Sequence, residues 1–240
     1  MKAYVYRRYG GPEVIEPAEL PTPEPHTGEI RVRIHATTVS SADWRMRSLT
    51  LPPGFGLLAR PVIGFLGPRQ PVLGTEFAGV VDAVGAGVTQ FRPGDAVIGF
   101  PGGKLGCHAE YRTMPADGRV ALKPDNLSFE EAATLSFGGS TALHYLRKAA
   151  VQPGERILVI GASGAVGVAL VQIARHQGAV VTGVTSGANA GLVTALGAAE
   201  VIDYRRDPVL TDGARYDVIA DTVGATRFRD AVPYLNEGGR

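Results

Sequence analysis

RILVIGASGAVGV, residues 156–168, joins a five-residue apolar run to a glycine-rich turn and then to a helical pattern. Arg156–Ile160 has the length and character of a buried strand. From the turn onward, Val166, Ala169, Leu170, Ile173 and Ala174 recur at i, i+3, i+4, i+7 and i+8, one stripe of a helix over residues 166–177. Gly178 supplies its C-terminal stop. The rhythm continues downstream: 179–184 (AVVTGV) is strand-like, 189–197 (NAGLVTALG) helix-like and ended by Gly197, and 200–203 (EVID) and 216–221 (YDVIAD) strand-like again. Strands alternating with helices of about ten residues predict a parallel sheet with right-handed crossovers. This half of the chain reads as a doubly wound α/β domain.

A glycine turn between such a strand and helix suits an anion. In the G-x-G-x-x-G register the positions are Ala162, Gly164 and Gly167, with alanine replacing the first glycine. Gly164 admits the backbone to a pyrophosphate, Gly167 lets the helix pack on the strand, and the first-turn N–H groups face the anion. Ala162, Ser163, Gly164, Ala165, Val166 and Gly167 are therefore the candidate cofactor-binding residues. A nucleophile elbow, G-x-S-x-G, would be a rival reading of Gly161–Ala165. Its last position is Ala165, and the only downstream histidine, His176, falls inside the helix that this turn opens.

Which dinucleotide is expected follows from charge. NAD sites place Asp or Glu about 20 residues beyond the glycines, but no acidic residue occurs between Glu155 and Glu200. Ser186, after the second strand, and Tyr204, Arg205 and Arg206, after the third, suit a 2′-phosphate, so NADPH is the expected cofactor. The alternative for the two arginines is a solvated surface pair.

The first half has a different period. Residues 2–6, 29–35 and 77–84 alternate apolar and polar as half-buried strands do, and 96–100 is apolar. Pro17, Pro21, Pro23 and Pro25 bar their segment from a helix or a central strand. Several short strands at this spacing predict a small, partly closed β-domain. Residues 51–68 fit neither regular helix nor strand, leaving a long packed loop, a subunit contact or a wall over an apolar pocket. The net charge is +1, from 24 Lys+Arg and 23 Asp+Glu, which gives no broad attraction for nucleic acid or anionic membrane. The single cysteine, Cys107, excludes an internal disulfide and a multi-cysteine zinc cage. No apolar run has the length of a membrane span, and MKAYVYRRYG does not read as a signal peptide, so a cytoplasmic protein is expected.

With a β-rich first half before GASGAVG, the motifs GTEFAGVV (74–81), RPGDAVIG (92–99), AEY (109–111), LSFEEAATL (127–135) and LGAAEVIDY (196–204) extend along the whole chain. Together and in this order they resemble the zinc-independent medium-chain dehydrogenases/reductases, in their quinone oxidoreductase-like branch. The resemblance implies a GroES-like substrate domain over residues 1–125 and a Rossmann NADPH-binding domain over 126–240. Where zinc alcohol dehydrogenases of this family carry a metal-binding cysteine, this chain has Ser40, and where they carry Gly-His-Glu it has Gly74-Thr75-Glu76. Zinc needs three or four N/S ligands, so no metal is expected. Lacking a Lewis acid, the implied reaction is hydride delivery to an acceptor that already stabilises negative charge, a quinone or an α,β-unsaturated carbonyl.

The family pattern places Ser40 and Asp43 at the catalytic site, with a helix cap as the other reading of Asp43. It places Thr141 and Val223 beside the nicotinamide. Asn189 stands where quinone reductases often have lysine, which leaves one phosphate contact neutral. Two other functions stay open: a non-catalytic NADPH-binding sensor or structural protein, and an enoyl-thioester reductase. The expected partner is a small molecule (quinone, enone or alkenal), and a homodimer stays open.

A complete dinucleotide fold has six strands in the order 3-2-1-4-5-6, and four are legible here. The chain therefore reads either as truncated at its C-terminus, with YDVIA left as a bare sheet edge, or as a shorter variant whose helix over 227–236 covers that edge.

Overall fold

The computed structural model describes residues 1–51, 56–211 and 213–240. It divides into two units, Met1–Ser136 and Phe137–Arg240.

In the first unit, β1 (Lys2–Tyr6) pairs antiparallel with β2 (Ile15–Glu19). Pro17 is accommodated because this is a two-stranded ribbon rather than the middle of a sheet. Strands β3 (Glu29–Thr37), β4 (Phe77–Val84), β5 (Ala96–Gly99), β6 (Tyr111–Pro115) and β7 (Val120–Leu122) form an antiparallel sheet in the order β6-β3-β4-β5-β7. Alternation along β3 sends Ile30 and Val32 into a core with Phe77, Val81, Val97 and Met114. Register shifts between Arg31 and Val32 and between Ile34 and Ala36 curl the sheet.

Two helices lie in the connection from β3 to β4: α1 (Ser41–Ser48) and α2 (Gly56–Ile63). Residues 52–55, part of the segment read above as loop or wall, lie outside the described residues. Its remainder corrects the expectation of no regular structure, because α2 runs through Pro61. Val62 within α2, and Phe65 and Leu66 after it, stand exposed rather than packed beneath the segment.

The sequence expectation divides the domains between residues 125 and 126, whereas the units separate after Ser136. The reason is α3 (Phe129–Ala133), whose Ala132 and Ala133 are buried against Ala78 of β4 and so fasten it to the β-domain.

The second unit opens with most of α4 (Leu135–Lys148). It continues with β8 (Arg156–Ile160), α5 (Ala165–His176), β9 (Val180–Thr185), α6 (Ala190–Ala195), β10 (Glu200–Asp203), β11 (Val218–Asp221) and α7 (Phe228–Ala231). Its sheet is parallel, ordered β10-β9-β8-β11, which is the 3-2-1-4 portion of a doubly wound sheet. Val159, Leu170, Val171, Ala174, Val181 and Val193 belong to the core between sheet and helices. Gly178 and Gly197 end α5 and α6 at φ +85° and +112°.

The expected bare edge of β11 is corrected over its first half. Tyr216 donates to Tyr234 and Ile219 to Arg240, while Asn236 donates to Tyr216 and Arg240 to Asp217, all backbone bonds of 2.9–3.0 Å. Residues 234–240 thus run beside the strand as a ribbon, after a helix only four residues long.

Candidate functional site

The glycine turn lies at the C-terminal ends of β8 and β9, where open α/β sheets bind ligands. Gly161 takes the left-handed conformation, φ +80°, that reverses the chain out of β8. A Cβ there would fall 2.5 Å from Thr222 Oγ1 and 2.8 Å from Val223 Cγ1. The turn glycine is therefore Gly161, one residue before the position assigned to the fingerprint's first glycine. The working pattern is G-x-x-G-x-x-G over residues 161, 164 and 167. That spacing is present in the sequence, but the G-x-G-x-x-G template conceals it.

The other two glycines do different work. A Cβ on Gly167 would press on the Gly161 carbonyl and come within 2.7 Å of Ala162 Cα, so this glycine seats the helix on the strand. On Gly164 it would meet one protein atom, Gly161 O at 3.3 Å. Gly164 is the N-cap of α5, and no side chain caps that end. The first N–H groups of a helix lack intrahelical partners, so the end of α5 presents donors and a positive dipole beside an open space that a Cβ would fill.

That space is a cleft of about 520 Å³ lined by Gly161, Ser163, Gly164, Ser186, Asn189 and Tyr204, with Val223 and hydrophobic strand ends around them. Ser163 Oγ accepts from Thr185 Oγ1 at 2.8 Å and from Asn189 Nδ2 at 3.2 Å, which fixes the turn to the end of β9. Asp221 shapes the far wall: its carboxylate accepts from the backbone N–H groups of Val223, Gly224 and Thr226 at 2.8–3.0 Å. No sequence signal singled out Thr185 or Asp221; an Asp opening a D-T-V-G turn was the available clue.

The remaining candidates sort plainly. Ala162 and Gly167 are buried beneath the turn, whereas Gly164 and Ala165 are exposed at it. Thr141 and Val166 line a separate cavity of about 640 Å³ with Asp221 and Thr222, so they do not share the cleft of Ser163 and Ser186. Arg205 and Arg206 part company. Arg206 pairs with Asp203 at 3.9 Å, while the Arg205 guanidinium lies 5.9 Å over the ring of Tyr204, a residue that lines the cleft.

In the first unit, Ser40 and Asp43 form a reciprocal cap on α1. Asp43 Oδ2 accepts from Ser40 N at 2.8 Å and Ser40 Oγ at 2.7 Å, and Ser40 Oγ accepts from Asp43 N at 3.4 Å. Asp43 Oδ1 accepts from Gly74 N at 2.8 Å, and the residue is 2% exposed. Of the two readings of Asp43, the geometry supplies the cap: it clamps the Ser40 loop to the segment before β4. Val39 and Trp44 flank this cap and are exposed. His108 and Thr38 are joined nearby, ring Nε2 to carbonyl oxygen at 2.9 Å. Among the described residues no three His, Cys, Asp or Glu side chains are grouped to hold a metal ion, and no helix is long and apolar enough to cross a membrane.

A parallel sheet with an anion-ready glycine turn, preceded in the chain by a curled antiparallel domain, is the layout of a nicotinamide-dependent oxidoreductase. The comparisons with known proteins agree. Residues 26–125 match the alcohol dehydrogenase GroES-like domain, and 165–240 match the zinc-binding dehydrogenase family. A quinone oxidoreductase of Salmonella typhimurium is 34% identical over 243 residues, covering 98% of this chain and 69% of that protein. A structure of the Escherichia coli quinone oxidoreductase complexed with NADPH superposes with TM-score 0.84 at 30% identity, over 98% of this chain and 70% of that one. The enoyl reductase CurK superposes with TM-score 0.87 at 26% identity, over 100% and 72%. The chain belongs to the medium-chain dehydrogenase/reductase family, in its quinone oxidoreductase-like branch, and is an NAD(P)H-dependent oxidoreductase acting on a small molecule.

Proposed function

We propose that the chain binds NADPH and serves the reduction of a quinone or α,β-unsaturated carbonyl without zinc. The observation that carries this is the open space at Gly164, bounded by the uncapped end of α5 and walled by residues that would take the rest of a dinucleotide. The residues fit the group. The N–H groups at Ala165 and Val166 would receive the pyrophosphate, and Ser163, Ser186, Asn189, Tyr204 and Arg205 the adenosine ribose and its 2′-phosphate, with Ala162 and Gly167 setting the turn from beneath. Val223 would border the nicotinamide from the cleft, and Thr141 from the separate cavity that Asp221 and Thr222 line. When bound, NADPH supplies a hydride to the acceptor carbon.

What the protein contributes is orientation and exclusion. Arg205 is the preferred cation for the 2′-phosphate, since its guanidinium stands over Tyr204 of the cleft wall while an exposed pair at 3.9 Å draws Arg206 toward Asp203. Ser40, at the position of the zinc ligand in metal-dependent relatives, has its hydroxyl spent in the α1 cap. Ser40 and Asp43 thus hold the loop beside the acceptor in one shape rather than exchange protons with it.

NADPH binding at least tenfold tighter than NADH tests the cofactor reading, since one charge-assisted hydrogen bond is worth about 1.5–3 kcal/mol. Arg205→Ala should remove most of that gap and Arg206→Ala much less; equal affinities in the unmodified protein would defeat it. NADPH oxidation screened against quinones, enones and alkenals tests the reaction. Likeness to the enoyl reductase CurK supports a second reading, an enoyl-thioester reductase; turnover confined to thioesters selects it.

A further inference from the structure

A cavity of about 510 Å³ lies in the first unit, away from the α1 cap, between the loop after β5 and the turn from β6 to β7. Lys104, Arg112 and Arg119 line it, against a single carboxylate, Glu29. Among the described residues none of the three cations forms an ion pair. Glu29 is turned to its own chain, where its Oε2 accepts from His26 N at 3.1 Å. The Arg119 guanidinium rests over the Phe100 ring, 5.6 Å from the centroid. Arg112 Nε is buried with no hydrogen-bond partner among the described residues. Burial lowers the Arg112 pKa, opposed more weakly by Cys107 and Glu29. Arg112 is half-buried and has no ion pair among the described residues, so an oxyanion in the cavity would supply the counter-charge its guanidinium lacks.

The backbone beside these cations is strained in a second, independent way. Gly102 and Gly106 take φ +59° and +94°. Between them Leu105 is held at φ 53°, ψ −156°, a region that essentially only glycine occupies. Its side chain is buried with Tyr6 and Leu73, which fixes the conformation. Such enforced conformations gather at ligand clamps. This one carries Lys104 on the cavity wall.

We propose that this cavity binds a phosphoryl dianion, as free phosphate or as a phosphomonoester, through Lys104, Arg112 and Arg119. Two guanidinium forks and an ammonium suit its tetrahedral oxygens, and the volume leaves room for the rest of an ester. The full chain, isotopically labelled, is titrated with inorganic phosphate and with phenyl phosphate at constant ionic strength, following backbone amide signals. Saturable shifts are expected at Gly102, Gly103, Gly106 and Gly118, separate from any at the α5 turn. Lys104→Ala/Arg119→Ala, two changes that leave Arg112 in place, should weaken this response at least tenfold and leave NADPH affinity unchanged. Tighter phenyl phosphate binding identifies an ester as the ligand, and equal affinities identify the free ion. Shifts confined to the α5 turn, or an unchanged response in the double variant, would overturn the proposal.

Discussion

Replacing Gly164 by valine separates binding from folding. The residue sits at φ −79°, ψ 168°, an extended conformation open to any side chain. A Cβ meets only Gly161 O, at 3.3 Å, so the protein makes room with a shift of a few tenths of an ångström. Valine is a poorer N-cap than glycine by about 1 kcal/mol, and the melting temperature should fall by a few degrees. The ligand fares differently, because the two methyl groups enter the space claimed for a pyrophosphate. Loss of two charge-assisted hydrogen bonds from the helix end costs about 3–6 kcal/mol in binding, a factor of roughly 10²–10⁴ in Kd. Fluorescence titration with NADPH, beside thermal unfolding followed by circular dichroism, measures both terms. A variant that binds within about threefold of the parent would refute the reasoning. So would loss of binding accompanied by destabilisation of more than about 3 kcal/mol, because the turn would then be a folding element alone.

Gly161→Ala should show the opposite pattern, losing about 2–5 kcal/mol of stability from the left-handed backbone and the clash with Thr222 and Val223; an unchanged urea midpoint would contradict this. Asp43→Ala removes three accepted hydrogen bonds and should cost about 3–5 kcal/mol. If the variant instead kept its stability and lost only turnover, Asp43 would be a chemical group rather than a cap. Asp217 is held below its ordinary range by the Arg156 N–H and Asn236, and Glu155 by Arg240. Both folded pKa values lie below the unfolded ones, so their stabilisation is complete above about pH 5 and is lost as acid protonates them. Urea midpoints should therefore fall from pH 7 to pH 3, less steeply in Arg240→Gln.

The second unit was legible because its signals are local. Strand periods, the stripe from Val166 to Ala174, and the stops at Gly178 and Gly197 each lie within a dozen residues. The turn was placed correctly in the chain, yet its first glycine was misassigned, because what marks Gly161 is a backbone angle and two neighbours about 60 residues away. Asp43 shows the same limit. The S-x-x-D spacing of Ser40 and Asp43 announces a cap, but the bond to Gly74 N, 31 residues on, appears only after folding. Arg205 and Arg206 are indistinguishable in sequence, and Asp203 tells them apart by meeting the backbone N–H of one and the guanidinium of the other. The helix α2 was missed because Pro61 and the flanking glycines read as breakers.

Cys107 gives the buried core a bearing on the chemistry proposed at the surface. Quinones and enones are electrophiles that alkylate thiolates, so an enzyme that turns them over risks inactivating itself. The chain's single thiol is fully buried, and burial raises its pKa to about 12, with Asp43 and Glu76 adding to the effect and Arg112 opposing it. At neutral pH the thiol therefore stays protonated. The thiol borders the cavity of about 700 Å³ that Val39, Asp43 and Trp44 also line, yet it has no exposed surface; packing keeps the chain's one thiol protonated close to the molecules the protein is proposed to reduce, a form of self-protection.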